Sequence, residues 1–283
     1  MSNVTKRVLS ALVLVPILLY IFFRGGWLFV LLIELAILVG VNEYYRMVEQ
    51  KGLMPKRLAG TVGALLIGGL AYLGRLDYMA IGITLLAMLI LADQLRGMDI
   101  RTAITGSAVT LFGVFYIGWL LSHATLLRFP AHHPEETGIF FVILALAGTF
   151  LADAGAFFTG RAYGKHKLAP LISPGKTIEG AVGGVLVGTA GVVAVKLVFD
   201  WWVFPAEGTG LPLYHCLLLG PVLVVFTIAG DLYESMIKRD AGIKDSGNVI
   251  PGHGGIMDRL DSLLLAIPIT YYYLRYAVYG GLL

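Results

Sequence analysis

The stretch GDLYESMIKRDAGIKDSGNVIPGHGGIMDRLD, residues 230–261, holds the densest charge in the chain and lies between two long apolar runs. Because the rest of the chain is so apolar, this concentration of charge indicates a site of chemistry, held by the apolar runs on either side. Its acidic side chains are Asp231, Glu234, Asp240, Asp245, Asp258 and Asp261, and its basic side chains are Lys238, Arg239, Lys244 and Arg259.

Composition assigns the chain to a lipid bilayer. Of its 283 residues, 58% are hydrophobic and 14% are charged, which is far from a soluble globular domain. Lipid offers no partners for open backbone groups, so the apolar runs must be helices, and the alternation typical of a membrane barrel does not occur. The predicted fold class is therefore an all-α polytopic integral membrane protein. The sequence has no basic tail or polar domain for nucleic acid, and its single Cys216 cannot form an intramolecular disulfide.

About nine windows are apolar enough to span a membrane if some are short or tilted. The first window follows Lys6 and Arg7 and lacks a small-residue cleavage site, so we interpret it as a retained helix rather than a signal peptide. The predicted spans are 8–23, 26–41, 58–74, 77–92, 102–121, 138–158, 178–199, 213–230 and 260–279.

The basic residues predict the orientation of these spans. With a cytoplasmic N-terminus and an outside C-terminus, most of the 21 lysines and arginines fall on the cytoplasmic side, as the positive-inside rule requires. An even number of spans would scramble this segregation. Both long charged segments, 159–177 and 231–259, are then cytoplasmic loops. The exceptions on the outer side are Arg24, Arg75, Arg128, Lys196 and Arg275, the last two near helix ends from which they can reach the interface.

The chain reads as a single membrane domain, 1–283, without repeats or linkers. Residues 1–121 form N-terminal helices with little specific motif. Residues 138–283 contain the predicted catalytic helices and cytoplasmic loops.

Two carboxylates border the charged stretch, Asp231 at the end of the eighth span and Asp258 at the start of the ninth. Asp261 lies one turn further, three residues beyond Asp258 on the same helical face. Oxygen ligands without His or Cys suit a hard cation such as Mg²⁺, which keeps waters and bridges to phosphates. The alternative is that these carboxylates are helix-end charges, satisfied by Lys238, Arg239 and Arg259.

The PGHGG turn at 251–255 predicts a phosphate-binding loop. Glycines such as Gly254 and Gly255 let backbone N–H groups approach an anion closely. The nearby bases Lys238, Arg239, Lys244 and Arg259 can neutralise phosphate oxygens. For His253, proton transfer, phosphate binding and a structural role stay open.

The other cytoplasmic segment carries a second candidate set for substrate binding. Its GKT at 175–177 is not a P-loop, because position 170, where the first glycine would fall, is Pro170. A helix N-terminus directly after Lys176 and Thr177 still suits a phosphate. The alternative is that Thr177 caps that helix and Lys176 is an ordinary positive flank. The candidates in this segment are Asp153, Arg161, Ser173, Lys176, Thr177 and Glu179.

Glu34 lies within the second predicted span and is a candidate functional carboxylate, because an ionisable group in a membrane span is costly. Glu34 lacks an evident partner in the sequence. At the inner end of this span lie Asn42, Glu43 and Tyr44. These residues border a lipid entrance or belong to an ordinary interfacial belt.

The charged stretch resembles the signature of the phosphatidate cytidylyltransferases, the CDP-diacylglycerol synthases. The matching pattern is S-x-x-K-R-x4-K-D-x5-P-x-H-G-G-x-x-D-R-x-D, running from Ser235 to Asp261 and including Asp245. The upstream GRAYGKHKLAPLISPGKTIEG, residues 160–180, is similar to a second marked region of that family. Residues 1–121 add little to the resemblance beyond the polytopic layout.

The resemblance implies transfer of a cytidylyl group from CTP to phosphatidic acid, giving CDP-diacylglycerol and pyrophosphate. It also implies Mg²⁺ held by Asp231 and Asp258, with a second, monovalent cation such as K⁺ as an optional companion. Ser235, Gly254 and Gly255 then join the substrate-binding residues, and Asp245, His253 and Asp261 join the catalytic residues. The expected location is a bacterial inner membrane with the active site on the cytoplasmic face, and the choice between a monomer and a homodimer is open.

Two other functions stay open at this stage. A related nucleotidyltransferase or kinase acting on a prenyl or ether lipid would need the same charges. A transporter of an anionic solute would also place charges at helix ends, but it would not gather them on one face of the membrane.

Overall fold

The computed structural model describes residues 12, 16–97, 100–206, 208–247, 249 and 254–283. Helices dominate these residues, and a helical segment over 16–24 precedes the first long helix. The helices are α1 Gly26–Gln50, α2 Arg57–Ala71, α3 Leu76–Gly97, α4 Ala103–Gly113, α5 Leu120–Arg128, α6 Glu135–Tyr163, α7 Ile178–Val198, α8 Leu213–Asp240, α9 Met257–Leu260 and α10 Leu263–Tyr272. Turns of π-helix join α4 to α5 at Val114–Trp119 and extend α7 at Phe199–Val203 and α10 at Tyr273–Val278.

These helices confirm an all-α polytopic membrane protein. Within the described residues, six helical segments are long and apolar enough to cross a membrane, and Arg57–Ala71 and Leu263–Val278 are shorter apolar helices. Large apolar side chains such as Leu66, Leu89 and Trp201 are exposed, as expected of surfaces that contact lipid. The predicted span 8–23 lies partly outside the described residues. The count of nine spans and the sides of the two termini stay predictions.

A short β-hairpin interrupts the helical pattern between α6 and α7. Strand β1, Lys167–Ala169, pairs antiparallel with β2, Ser173–Thr177, with Lys167 opposite Thr177. The N–H of Ile178 donates to the carbonyl of His166 at 2.9 Å, which fastens the hairpin to the start of α7. Sequence analysis treated this segment as a plain loop, because backbone pairing over so few residues leaves no periodic signal.

Small residues bring α6 and α7 together. A Cβ atom built on Gly155 would lie 2.6 Å from the Val187 side chain and 2.9 Å from the carbonyl of Gly183. A Cβ atom on Gly183 would lie 2.2 Å from the Thr159 hydroxyl. Contacts this close require glycine, and they are typical of helix pairs that associate in lipid by close packing of their backbones.

Helix α8 extends further than the sequence indicated. The prediction ended the eighth span at Asp231 and placed 231–259 in a loop, whereas the helix continues to Asp240. Between Asp231 and Asp240 the sequence has no glycine or proline, and the next glycine is Gly242, whose φ of 71° is left-handed. The N–H of Ile243 then donates to Lys238 and that of Gly242 to Arg239, which is a Schellman ending. Asp231, Ser235, Lys238 and Arg239 therefore lie on a helix.

Two other boundaries differ from the predicted ones. Helix α6 continues to Tyr163, so Arg161 lies in its last turn rather than in a loop. The short helix α9 ends at Leu260, and Asp261 lies in a turn, where its Oδ1 accepts a hydrogen bond from the Ser262 N–H at 2.6 Å. The expectation that Asp258 and Asp261 share the face of one continuous helix is therefore wrong.

The described residues form two compact units. The first unit contains those of Met1–Leu126 and Lys238–Leu260, and the second those of Leu127–Ile237 and Asp261–Leu283. The division predicted from sequence, a single membrane domain with parts 1–121 and 138–283, stays a prediction.

Close helix packing in the second unit can be tested at Gly188 of α7. A Cβ atom there would lie 2.6 Å from Val224, 2.9 Å from the Ala152 side chain and 3.0 Å from the Gly148 carbonyl. We expect Gly188→Ala to reduce stability by about 1–3 kcal/mol through overpacking. The measurement is the thermal denaturation midpoint in detergent.

The matched control is Gly69→Ala in α2, where an added Cβ atom meets nothing within 4 Å. Both substitutions gain the same helix propensity, so the difference between them reports packing alone. Equal denaturation midpoints for the two variants would contradict the packing described for α6, α7 and α8.

Candidate functional site

A cavity of about 490 Å³ in the second unit gathers many of the predicted site residues. It lies between α6, the hairpin, the start of α7 and the middle of α8. Its wall combines charged and apolar groups, which suits a ligand with a phosphate and a lipid part. The polar lining is Asp153, Arg161, Lys176, Thr177 and Asp231, and the apolar lining includes Phe157, Leu168 and Ile228.

An ion pair joins Lys176 and Asp231 in this cavity. The Lys176 Nζ lies 2.5 Å from Asp231 Oδ2, with side chains 24% and 28% exposed. The Ser235 hydroxyl donates to Asp231 Oδ1 over 3.4 Å, one helical turn away on α8. A base that can bind phosphate and a carboxylate that can bind a cation are therefore in direct contact.

Asp153 adds a second carboxylate to this group. It lies within electrostatic range of Asp231, Asp261 and the Lys176 ammonium, and it shares a hydrogen bond with Ser262. The structure thus brings together four candidate residues from two separate segments of the sequence. Repulsion among the three carboxylates is offset in part by the one lysine.

Thr177 and Glu179 have structural roles in the hairpin. The Thr177 hydroxyl accepts a hydrogen bond from the Gly180 N–H at 3.1 Å, so the capping interpretation of Thr177 is confirmed. The Glu179 carboxylate accepts from the N–H groups of Lys165 and His166 and lies 2.6 Å from His166 Nδ1. Glu179 therefore holds the entry to the hairpin and is not among the residues that line the cavity. Ser173 begins β2 and does not line the cavity either.

A second cluster, in the first unit, centres on Asp258. Its Oδ1 lies 2.7 Å from Lys238 Nζ, and its Oδ2 accepts from the N–H groups of Ser246 and Gly255, each at 2.9 Å. Burial alone would raise the pKa of Asp258, but the Lys238 ammonium and these N–H groups together lower it below its ordinary value. The carboxylate is therefore held ionised, and the pairing with Lys238 that the sequence offered as an alternative is present.

In the described part of the PGHGG turn, the Gly255 N–H binds a protein carboxylate. Gly254 has a φ of 84°, and a Cβ atom there would lie 2.8 Å from Asp258 Oδ2. The N–H of Gly255 is directed to Asp258, whereas the sequence predicted that it would face a phosphate. His253 lies outside the described residues. Four further predicted residues are exposed in the first unit, namely Arg239, Lys244, Asp245 and Arg259.

The donor atoms in these clusters fit a hard divalent cation with few protein ligands. Among the described residues, no three His, Cys, Asp or Glu side chains are grouped closely enough to hold a metal by themselves. Mg²⁺ commonly uses one or two carboxylates and takes its remaining ligands from water and phosphate. Asp231 in the second unit and Asp258 in the first unit each carry oxygens of this kind, so each carboxylate by itself suits a ligand of Mg²⁺.

The contact between Glu43 and Ser246 is not predicted by the sequence pattern. Glu43 is 1% exposed, so neither an interfacial belt nor the border of a lipid entrance describes it. The Ser246 hydroxyl donates to Glu43, which is 203 positions away in the sequence. A charge at the end of an apolar run was a visible signal, but a single sequence does not indicate a contact over such a separation.

Comparison with known proteins identifies the family. A family described as the cytidylyltransferase family matches residues 5–277. A protein of Synechocystis sp. named phosphatidate cytidylyltransferase is 35% identical, with 95% of this chain and 96% of that protein covered. A protein of the same name from Pseudomonas aeruginosa is 36% identical, with 93% of this chain and 94% of that protein covered. Another from Brucella suis is 33% identical, with 96% of this chain and 93% of that protein covered. The chain belongs to the cytidylyltransferase family.

Proposed function

We propose that this protein transfers a cytidylyl group from CTP to phosphatidic acid, giving CDP-diacylglycerol and pyrophosphate, a step of phospholipid biosynthesis. The observation that carries the proposal is the similarity to phosphatidate cytidylyltransferases over 95% of the chain in one alignment and 96% in another. A bilayer-embedded chain also suits a reaction that joins a membrane lipid to a soluble nucleotide.

In this reaction, an oxygen of the lipid phosphate forms a bond to the α-phosphorus of CTP. The bond from that phosphorus to its bridging oxygen breaks, and pyrophosphate leaves. Such transfers depend mainly on positioning and charge stabilisation, so no covalent intermediate on the protein is needed. Lys176 and Arg161 would bind phosphate oxygens in the cavity, and Phe157 and Ile228 would face the lipid part. The remaining phosphate groups of CTP and the lipid would be bound by Lys238, Arg239, Lys244 and Arg259.

Asp231 and Asp258 are the proposed ligands for Mg²⁺. When bound, Mg²⁺ would supply charge stabilisation at the α-phosphate and at the departing pyrophosphate. Lys176 and Lys238, now paired with these carboxylates, would then be available to phosphate oxygens. A monovalent cation such as K⁺ beside the divalent one, and a homodimer, stay predictions.

We further propose nine spans, a cytoplasmic N-terminus and a cytoplasmic active site in a bacterial inner membrane. The distribution of basic residues supports this arrangement. The lipid phosphate would then enter from the inner leaflet, where CTP is also available.

The first test replaces the proposed metal ligands. Asp231→Asn and Asp258→Asn should each lower turnover by on the order of 100-fold or more, because each removes a negative charge that the cation needs. The measurement is incorporation of CMP into phosphatidic acid by purified protein over a range of Mg²⁺ concentrations.

The control is Asp77→Asn, since Asp77 is 76% exposed and lies 3.4 Å from Arg75 on the surface. This variant should keep wild-type turnover. Wild-type-like activity of Asp231→Asn or Asp258→Asn at limiting Mg²⁺ would contradict the metal assignment. Incorporation from ATP in place of CTP would contradict the nucleotide assignment.

The second test concerns the cavity lysine. Lys176→Ala should raise the KM for phosphatidic acid or for CTP by about tenfold, the effect of one lost charge-assisted hydrogen bond. The control is Lys167→Ala on the same hairpin, where the side chain is exposed and does not line the cavity. If both KM values of Lys176→Ala match the wild type, Lys176 has only a structural role.

The third test concerns orientation. In a Cys216→Ser background, which removes the single buried native cysteine, Lys244→Cys should react with a membrane-impermeant maleimide only in inverted vesicles. Arg75→Cys should react in right-side-out vesicles or spheroplasts, because the positive-inside rule places it outside. Labelling of both cysteines from the same side would overturn the proposed orientation.

A further inference from the structure

Glu43 is a buried carboxylate of α1, in the first unit, that the proposed reaction does not use directly. Its side chain is 1% exposed. Its Oε1 accepts from the Ile256 N–H at 3.1 Å, and its Oε2 accepts from the Met257 N–H at 2.9 Å. A carboxylate is costly to bury unless its oxygens are satisfied. Because Glu43 is satisfied by backbone groups directly before Asp258, it fixes the chain at that point.

Ser246 links Glu43 to Asp258. Its hydroxyl oxygen lies 3.2 Å from Glu43 Oε2 and 3.0 Å from Asp258 Oδ2, so its one proton can be donated to either carboxylate. Its N–H donates to Asp258 Oδ2 at 2.9 Å. The orientation of the Asp258 carboxylate therefore depends on Ser246, which is itself held by Glu43.

Two glycines, Gly247 and Gly255, lie close to the Glu43 carboxylate. A Cβ atom on Gly247 would lie 2.5 Å from Glu43 Oε1. A Cβ atom on Gly255 would lie 2.1 Å from Ser246 Oγ and 2.6 Å from Glu43 Oε2. Both glycines thus approach the carboxylate at distances that leave no room for a side chain. The sequence predicted Gly255 as a phosphate-binding glycine. Its closeness to Ser246 and Glu43 is a second reason why this position requires glycine.

We propose that Glu43 is a positioning residue for cytidylyl transfer, acting through Ser246 and the Ile256 and Met257 N–H groups to orient Asp258. The inference rests on the proposed function, because it assigns Asp258 a part in the reaction. Glu43 contacts neither substrate in this account, and its effect passes through the loop.

The test uses Glu43→Gln, which keeps the size of the side chain. One oxygen becomes an NH₂ group that faces backbone or hydroxyl donors, so part of the network is lost. We expect kcat to fall by about tenfold or more, with the KM for phosphatidic acid within about twofold of the wild type. The matched control is Glu49→Gln on the same helix, where the carboxylate is 40% exposed and lies 3.6 Å from Arg57. This control should keep wild-type kcat.

Hydrogen–deuterium exchange supplies a measurement that does not require activity. In Glu43→Gln, the amides of 254–258 should exchange about tenfold faster, and those of α6 and α7 should be unchanged. Faster exchange throughout the helices would show general destabilisation and would overturn the positioning role. Faster exchange at 254–258 with wild-type kcat would overturn it as well, because the loop would then move without consequence for the reaction.

A double-mutant cycle with Ser246→Ala tests whether the two residues act together. If Glu43 acts through Ser246, the double variant should lose about as much kcat as the more impaired single variant. If the two losses in kcat multiply in the double variant, Glu43 does not act through Ser246, and the proposed route is wrong. A wild-type protein without cytidylyl transfer would refute the proposed function, while the exchange experiment would still report whether Glu43 holds the loop.

Discussion

The close approach of α6 and α7 is the contact on which the second unit depends. In lipid, helices gain little from hiding apolar surface from one another, so association depends on how near the backbones can come. Glycines where α6 and α7 meet allow that approach, and the β1–β2 hairpin connects the two helices. The cavity that holds Lys176 and Asp231 lies beside this crossing, so its shape follows from the packing of small residues.

The two proposed metal ligands follow the same physical rule, one in each unit. Each carboxylate is paired with a lysine, because an uncompensated charge in a largely apolar chain would be very costly. Asp231 is paired with Lys176, and Asp258 with Lys238. These pairings are compatible with a role in chemistry, since a lysine ammonium that leaves its carboxylate partner can bind a phosphate oxygen.

The sequence was informative where the signal was local. Apolar runs predicted the helices, because lipid leaves the backbone no other choice, and the family signature gave the reaction. The end of α8 was missed because helix and loop are equally compatible with charged residues outside the membrane, and Gly242 was the true stop signal. Two features depend on contacts between distant segments, which a single sequence does not reveal. One is the grouping of Asp153 with Asp231 and Asp261, and the other is the burial of Glu43.

Gly160 and Gly180 belong to the helix crossing and to the cavity wall at once. A Cβ atom on Gly180 would lie 2.8 Å from the Ala156 carbonyl, and one on Gly160 would lie 2.9 Å from the Thr177 hydroxyl. A larger residue at either position would therefore disturb the assembly of the unit and narrow the space for the ligand in a single step. Selection for folding and selection for substrate use cannot act separately there. These two positions should drift less among descendants of this chain than glycines such as Gly69, whose neighbourhood is open.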